Sequence, residues 1–307
     1  MDWVAVGLRF ALYVDLALLF GLPLFCLYAL HGHERASWIA ARCQVMARAG
    51  AIAGILLSLG SIAVMAKAMS GAAGYSALQS HVFGMIVTGT DFGVAWSVRL
   101  VALVLCLPAA LPGRARPGTR LAALAAFAGI ALATLAWGGH GAMHDGAGRY
   151  LHLGADVAHL LAAGAWTGAL AAFVLLSLAK PSSGPQAMAL LSRTSNGFAH
   201  IGTVIVATLV LTGAVNYWFI VGPVLPDLAP MSYGGLLAGK LALFVAMLGL
   251  AAANRFRLSP RLAQALQAGN QGVAIRALRR SLMMESGAAT LVLALVAVLG
   301  TLSPATV

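Results

Sequence analysis

The sequence predicts an all-α polytopic membrane protein, a single domain built as a bundle of eight transmembrane helices. Of its 307 residues 61% are apolar and only 9% are charged, whereas a soluble domain carries about 25% charged residues. The apolar runs are about 20–27 residues long, which suits helices crossing about 30 Å of hydrocarbon and exceeds the ~10-residue strands of an outer-membrane barrel. This composition excludes a disordered chain and an ordinary soluble domain.

The eight predicted spans follow one another along the chain. They cover residues 3–30, 44–69, 94–111, 121–137, 151–178, 196–221, 233–253 and 281–301. In lipid only a helix pairs all of its own backbone groups within one segment, so each run predicts a helix. The first run follows Asp2 instead of a basic stretch and is long enough to span, so we expect a helix of the bundle and not a cleaved signal peptide.

Basic residues alternate between the connections and predict the orientation. The first, third, fifth and seventh connections carry Arg35, Arg42, Arg48, Arg114, Arg116, Arg120, Lys180, Arg193, Arg255, Arg257, Arg261, Arg276, Arg279 and Arg280. The other three connections offer only Lys67 and Arg149. The positive-inside rule then places the odd connections in the cytoplasm and both termini in the periplasm. Because the net charge of +11 arises in these loops, it indicates orientation, and we expect no nucleic-acid partner.

Histidines concentrate on the predicted periplasmic side of the bundle. His81 lies in the second connection, and His140, His144 and His152 lie in or beside the fourth. His159 lies within the fifth span, about 12 Å below its outer end at helical rise. A solvated surface role for the loop histidines stays open, but their number predicts a site at this rim.

Three of these side chains share one helical face. His152, Asp156 and His159 are spaced i, i+4 and i+7. Ionisable groups inside a bilayer are costly unless paired or hydrated, so we expect this face to point into the bundle. Imidazole and carboxylate suit Cu(II), and the thioether of Met143 suits Cu(I). Asp156 is alternatively a carboxylate that orients a metal-binding histidine.

Depth along the helices separates the remaining polar residues. His200 begins the sixth span about 15 Å from the level of His159, so one ion cannot bind both. Three other polar side chains reach the level of His159: Asn216, Lys240 and Arg99. We expect Lys240 or Arg99 to neutralise Asp156.

A second, thinner cluster brackets the first cytoplasmic connection. It consists of Cys26, His31, His33, Cys43 and Met46. Thiolates there suit Cu(I) in a reducing compartment. Packing of small cysteines is the alternative, and the residues leave it open.

Many short motifs follow one another in a distinctive order along the chain. They are Gly138-Gly139-His140, His152, Asp156, His159, Trp166-Thr167-Gly168, Thr212-Gly213-Ala214-Val215-Asn216, Tyr233-Gly234, Lys240, Asn254-Arg255, Leu278-Arg279-Arg280-Ser281 and Glu285. Together these motifs resemble the copper resistance protein D family of bacterial inner-membrane proteins. The resemblance implies copper movement between periplasm and cytoplasm, in contact with the lipid bilayer and often beside a small periplasmic copper-binding protein.

We therefore expect a copper transporter, not an enzyme. Copper, as Cu(I) or Cu(II), is captured at a rim made by His140, Met143, His144 and His81. It passes to His152, Asp156 and His159 and leaves toward Cys26 and Cys43. No nucleotide-binding motif is present in the sequence, so uptake down the membrane potential is the expected energy source, at about 2.3 kcal/mol per charge per 100 mV.

Two other functions remain open from the sequence. One is a haem b protein, an oxidoreductase or electron carrier, with His159 as an axial ligand and His140 or His152 as its partner. The other is a sensor or assembly partner that binds copper at the rim without moving it. The sequence leaves the oligomeric state open.

Overall fold

A computed structural model describes residues 2–113, 115–139, 146–179, 184–224, 226–229, 231–269 and 272–302 of the chain. Within these ranges the chain forms ten α-helices and no strand. Eight helical segments are long and apolar enough to cross a membrane. The prediction of an all-α bundle with eight spans is therefore confirmed, and the single-domain organisation stays a prediction.

The helices are named in chain order. They are α1 (Trp3–Ala29), α2 (Trp38–Ser70), α3 (Ser80–Gly89), α4 (Asp91–Ala110), α5 (Pro117–Ala133), α6 (Ala147–Ser177), α7 (Gly184–Ile220), α8 (Tyr233–Ala253), α9 (Ser259–Gln267) and α10 (Gly272–Leu299). Short 3-10 turns cover Gly32–Ala36, Tyr75–Ala77 and Thr134–Gly138, and a π-helical turn covers Asn254–Leu258.

Several helices extend past the predicted spans. α2 begins at Trp38 where the sequence predicts 44, α7 at Gly184 where it predicts 196, and α10 at Gly272 where it predicts 281. Hydropathy detects only the part of a helix that suits lipid, whereas the backbone stays helical through the polar turns beyond it. The short α3 lies in the second connection, which the sequence predicts as a loop.

The start of α1 and the end of α10 lie at the same end of the bundle. The guanidinium of Arg9, near the start of α1, donates to the carbonyl of Gly300, just after α10. It also donates to the carbonyl of Gly138 at 3.0 Å. This end is called the termini end below. The opposite end carries the arginine-rich connections, including the turn Gly32–Ala36, and is called the basic end.

α1 is the central helix and crosses α6 at very short distance. It packs against α2, α5, α6 and α10. At the crossing with α6, a methyl group added to Gly168 would lie 2.1 Å from the carbonyl carbon of Gly21, and one added to Gly21 would lie 2.2 Å from the carbonyl oxygen of Gly164. Small residues let two membrane helices approach until their backbones touch. These glycines therefore fix the spacing of α1 and α6.

α7 and α8 are peripheral by contrast. α7 packs on α6 and α9, and α8 packs on α10. Only 11% and 6% of the residues are buried in the most apolar windows of the sixth and seventh spans, against 56% in the fifth span on α6. α7 and α8 are therefore held at a distance from each other over most of their length, and space remains between them.

The seventh span contains an irregular turn. α8 continues through the π-helical segment Asn254–Leu258 directly into α9. A π-turn inserts one residue into a helix and often lies at a functional site. Here it places the Asn254 amide 2.8 Å from the Glu285 carboxylate on α10.

Candidate metal site and connected cavities in the C-terminal helices

The predicted stripe on α6 lines one cavity near the termini end. His152, Asp156 and His159 all face a cavity of about 190 Å³, together with Asn216 from α7 and Lys240 from α8. Arg9 and Tyr13 of α1 also line it, as do Tyr217 and Tyr233. The structure therefore brings the three α6 side chains to the inside of the bundle.

His159 is held in one tautomer by α7. Its Nδ1 lies 2.9 Å from the Thr212 hydroxyl, and that hydroxyl donates its only proton to the Thr208 carbonyl at 2.5 Å. Because a hydroxyl carries a single proton, Thr212 accepts from His159, and Nδ1 carries the hydrogen. The neutral ring then has its lone pair on Nε2, which is the arrangement of a metal-binding histidine.

Asp156 is paired with a neutral amide. Asn216 Nδ2 donates to Asp156 Oδ1 at 3.3 Å. Lys240 attracts Asp156 across the cavity, but no ion pair within 4.0 Å joins them among the described side chains. Of the two cations expected to neutralise Asp156, Lys240 is therefore the one that faces it.

Arg99, the other expected partner of Asp156, lies elsewhere. Its Nε donates to the Thr134 hydroxyl at 2.9 Å, and the side chain is 2% exposed. It does not line the cavity that holds Asp156. The sequence places Arg99 at the level of His159, but the direction in which this face of α4 points decides which partner the side chain meets.

His152 is buried against α7. Its ring stacks on Phe219 with centroids 5.0 Å apart and an angle of 8° between the planes. The residue is 1% exposed. Seven residues separate it from His159, which is about 10.5 Å along the helix axis. The two imidazoles are therefore too far apart to bind one ion together.

This geometry limits what the stripe can hold. In the described ranges no group of three His, Cys, Asp or Glu side chains is arranged to hold a metal ion. The α6 stripe instead offers neighbouring pairs, His152 with Asp156 and Asp156 with His159, at successive depths. Metal binding by these three residues stays a prediction.

Of the four predicted rim residues, only His81 lies within the described part of the chain. His140, Met143 and His144 lie outside the described residues. His81 lies exposed on α3 and does not line the cavity. His200 is exposed on α7, away from His159, as its depth predicts.

Residues that the sequence-based prediction of the metal site does not include also contribute to it. Thr212 lies one turn before Asn216 on the same face of α7, and the i, i+4 spacing was a usable signal. Arg9 and Tyr13 have the same spacing on α1. Pairing between helices far apart in the chain left no signal in a single sequence.

Three cavities follow one another from this site toward the basic end. His159 and Lys240 line both the first cavity and a second one of about 520 Å³ between α6, α7, α8 and α10. Trp166 lines both the second cavity and a third of about 260 Å³. The third cavity is also lined by Glu285 and Arg255. Adjoining cavities therefore extend from the α6 stripe to a carboxylate nearer the basic end.

Glu285 is a buried carboxylate with neutral partners. It is 2% exposed, and it accepts hydrogen bonds from Trp166 Nε1 at 2.9 Å and from Asn254 Nδ2 at 2.8 Å. Among the described side chains it has no ion pair. A carboxyl group buried without a cation is a place where a proton or a metal cation is stabilised.

The second predicted cluster divides into two parts. Cys26 and Cys43 meet in the core, with their sulfur atoms 3.1 Å apart. His31 and His33 are exposed in the turn after α1, where His31 Nδ1 lies 3.2 Å from Arg193. The histidines are therefore separate from the thiols.

The fold and the polar cavity define a multi-pass helical membrane protein with ionisable groups inside its bundle. Residues 1–150 match the family described as Copper resistance protein D-like, N-terminal domain, and residues 192–299 match Copper resistance protein D. The chain is 48% identical to Copper resistance protein D of Pseudomonas syringae pv. tomato over 303 residues, which cover 99% of this chain and 97% of that protein.

The chain belongs to the copper resistance protein D family, which confirms the resemblance. It is also 29% identical to the inner membrane protein YebZ of Escherichia coli K12, over 85% of this chain and 86% of that protein. The comparison with solved structures finds no match. Family membership and the eight apolar spans place the chain in the inner membrane with a role in copper handling.

Proposed function

We propose that the protein is a transporter, not an enzyme, and that it moves copper across the inner membrane from periplasm to cytoplasm. One observation carries this proposal: adjoining cavities connect the α6 stripe near the termini end with Glu285 toward the basic end. A protein that only binds copper at its surface has no need of polar groups along the depth of the membrane.

The positive-inside rule supports the direction. The arginine-rich connections lie at the basic end, so the rule supports a cytoplasmic basic end and a periplasmic termini end. Copper then enters near the termini end, where the fourth connection carries His140, Met143 and His144. A small periplasmic copper-binding protein is the partner that we propose for delivery.

Ligand chemistry supports stepwise passage along α6. His152 with Asp156, and then Asp156 with His159, are two pairs of ligands one helical turn apart. Imidazole binds both copper oxidation states, and the carboxylate favours Cu(II). Weak binding by two ligands at a time suits conduction, since an ion must leave each site as readily as it arrives.

Lys240 supplies the opposing charge. With Asp156 ionised and Lys240 protonated, the two opposite charges offset each other, which lowers the cost of burying both groups. When a copper ion binds the Asp156 carboxylate, the ion takes over from Lys240 as the positive charge that stabilises this carboxylate. The membrane potential then favours inward movement by about 2.3 kcal/mol per charge per 100 mV.

Copper uptake into proteoliposomes tests the proposal. We expect the wild-type protein to accumulate copper. His159→Ala should reduce the initial rate of uptake more than tenfold, because it removes the ligand that lines both the first and the second cavity. His200→Ala is the matched control, since His200 is exposed on the neighbouring helix. Parallel assays with ascorbate and without it distinguish Cu(I) from Cu(II). Equal rates in wild type and His159→Ala would contradict the proposed route.

Haem b binding is the second candidate function, because the second cavity combines an apolar lining with His159. A single histidine is enough to hold haem iron in some proteins. The visible absorption spectrum of the purified protein decides between the two, since bound haem gives an intense Soret band. A Soret band that His159→Ala abolishes would favour haem over copper at this site.

The same transport assay distinguishes a transporter from a sensor or an assembly partner. A sensor or assembly role predicts copper binding with no uptake in the wild type. The proteoliposome measurement therefore separates transport from copper binding alone, and the absorption spectrum of the same preparation tests haem.

A further inference from the structure

Two thiols meet at the contact between α1 and α2. Cys26 Sγ donates to Cys43 Sγ across 3.1 Å, and the two residues are 0% and 1% exposed. They are free cysteines. Cys26 lies three residues before the end of α1 and Cys43 five residues after the start of α2, so both lie within about 8 Å of the basic end of their helices.

A cavity adjoins this pair. Its volume is about 290 Å³, and its lining includes Cys43, Met46 and Asp15 among aliphatic and glycine residues. Met46 lies three residues after Cys43, on the same face of α2. Asp15 Oδ2 is buried and has no hydrogen-bond partner. A thiol, a thioether and a carboxylate oxygen therefore face one space in an otherwise apolar groove.

We infer that Cys26, Cys43 and Met46 form a binding site for Cu(I). Thiolate and thioether ligands select Cu(I) among the metals available to a cell. Metal–sulfur bonds are about 2.3 Å long, so an ion between the two sulfurs requires them to move apart from their present contact. The cavity beside Cys43 supplies the room for this movement and brings the Met46 sulfur within reach as a third ligand.

Proton release offsets the charge of the bound ion. Each cysteine that binds Cu(I) loses its thiol proton to solvent, so binding through one thiolate leaves the total charge of the buried site unchanged, and binding through both lowers it by one. The preference for Cu(I) over a divalent ion therefore rests on the soft sulfur ligands. No electron transfer is involved.

The site is separate from the route proposed above. Its cavity shares no lining residue with the three cavities of the C-terminal helices. It lies at the end that the positive-inside rule places in the cytoplasm, where thiols stay reduced. The inference therefore stands or falls independently of transport through α6–α10.

Cu(I) binding by the purified full-length protein tests this inference. A chromophoric Cu(I) chelator in ascorbate buffer reports the number of equivalents bound. In a His159→Ala background we expect the double variant Cys26→Ser and Cys43→Ser to lose one equivalent. Cys106→Ser is the matched control, because Cys106 is also a free and fully buried cysteine but lies on α4, and it should retain that equivalent.

Two further measurements keep the test decisive if the double variant folds poorly. X-ray absorption of the Cu(I)-loaded protein should show sulfur neighbours, and Met46→Leu should weaken binding about tenfold while preserving side-chain volume. Equal stoichiometry in the double variant and in Cys106→Ser would overturn the site. So would a mass two hydrogens lower than that of the free-thiol chain, since it shows that the cysteines form a disulfide.

Discussion

The crossing of α1 with α6 differs from the space between α7 and α8. At the first, the backbones meet at Gly21 and Gly168 so closely that no side chain fits between them. At the second, helices that are mostly exposed border a cavity of about 520 Å³. The difference teaches that α6 has one tightly packed side, which fixes its position, and one side facing a cavity, into which His159 points.

The largest expected effect comes from filling the tight crossing. Gly168→Leu places carbon atoms where the backbone of Gly21 lies, so the helices must separate. We expect a loss at or above the upper end of the about 1–3 kcal/mol typical of overpacking. The measurement is the thermal midpoint of the detergent-solubilised protein, followed by fluorescence-detected size exclusion.

Gly154→Leu is the control for this prediction. Gly154 lies on the same helix with open space around it, so this variant should fold with a midpoint within a few degrees of wild type. If both variants lower the midpoint equally, the crossing is not the cause of the loss, since the gain in helix propensity from Gly to Leu favours folding in both.

Filling the side of α6 that faces the cavity should block function and spare stability. A methyl group on Gly213 would lie 3.7 Å from His159 Cε1, an ordinary contact, so Gly213→Ala fits. Gly213→Leu extends into the cavity beside His159 and should reduce copper uptake into proteoliposomes at least tenfold. The alanine variant should stay within about twofold of wild type. Equal uptake by both variants would show that copper does not pass here.

A smaller effect is expected from the partner of His159. Thr212→Val removes the oxygen that accepts from Nδ1, so the ring is free to change tautomer. Loss of such an orienting partner typically costs 10–100-fold in metal affinity. Copper affinity, measured by competition with a chelator, should fall in this range in Thr212→Val and be restored by Thr212→Ser.

Thr208→Val controls for the loss of a hydroxyl on α7. The Thr208 hydroxyl donates to Val204 on the exposed side of the helix, and its own carbonyl, which Thr212 uses, is retained. An affinity loss as large as that of Thr212→Val would remove the tautomer argument.

The smallest effect is expected from the ion pair between Lys67 of α2 and Asp2, at the termini end. The ammonium group of Lys67 lies 2.7 Å from Asp2, and this hydrogen bond is the main cause that lowers the pKa of Asp2 to about 2 from its usual 3.8. Stability from this pair is therefore complete above pH 3.8 and is lost as the pH falls through about 2. The thermal midpoint of wild type should drop slightly more than that of Asp2→Asn between pH 5 and pH 3.

The sequence alone predicts the parts of the fold that are determined by the contrast between lipid and water. Eight spans are predicted because each long apolar run has only lipid as a suitable environment. α3 was missed because a ten-residue apolar helix is too short to span and reads as a loop. The beginnings of α7 and α10 were placed late because their first turns are polar.

The site could be predicted only within one helix. His152, Asp156 and His159 share a face by spacing alone, and they do line one cavity. Arg99 was an expected partner of Asp156 by depth, but it turns toward Thr134. Depth follows from counting residues, whereas the rotation of one helix against another depends on packing that a single sequence does not record.

The π-helical turn at Asn254–Leu258 has a consequence for how this family can vary in length. Each residue of an α-helix rotates the chain by about 100°, so the extra residue sets the angular phase between α8 and α9. Deleting one residue there would turn the buried Leu262 of α9 out of the bundle and shift Asn254 relative to Glu285. A one-residue gap in an exposed loop is harmless by comparison, so we expect relatives of this chain to conserve the number of residues in this turn more strictly than their identity.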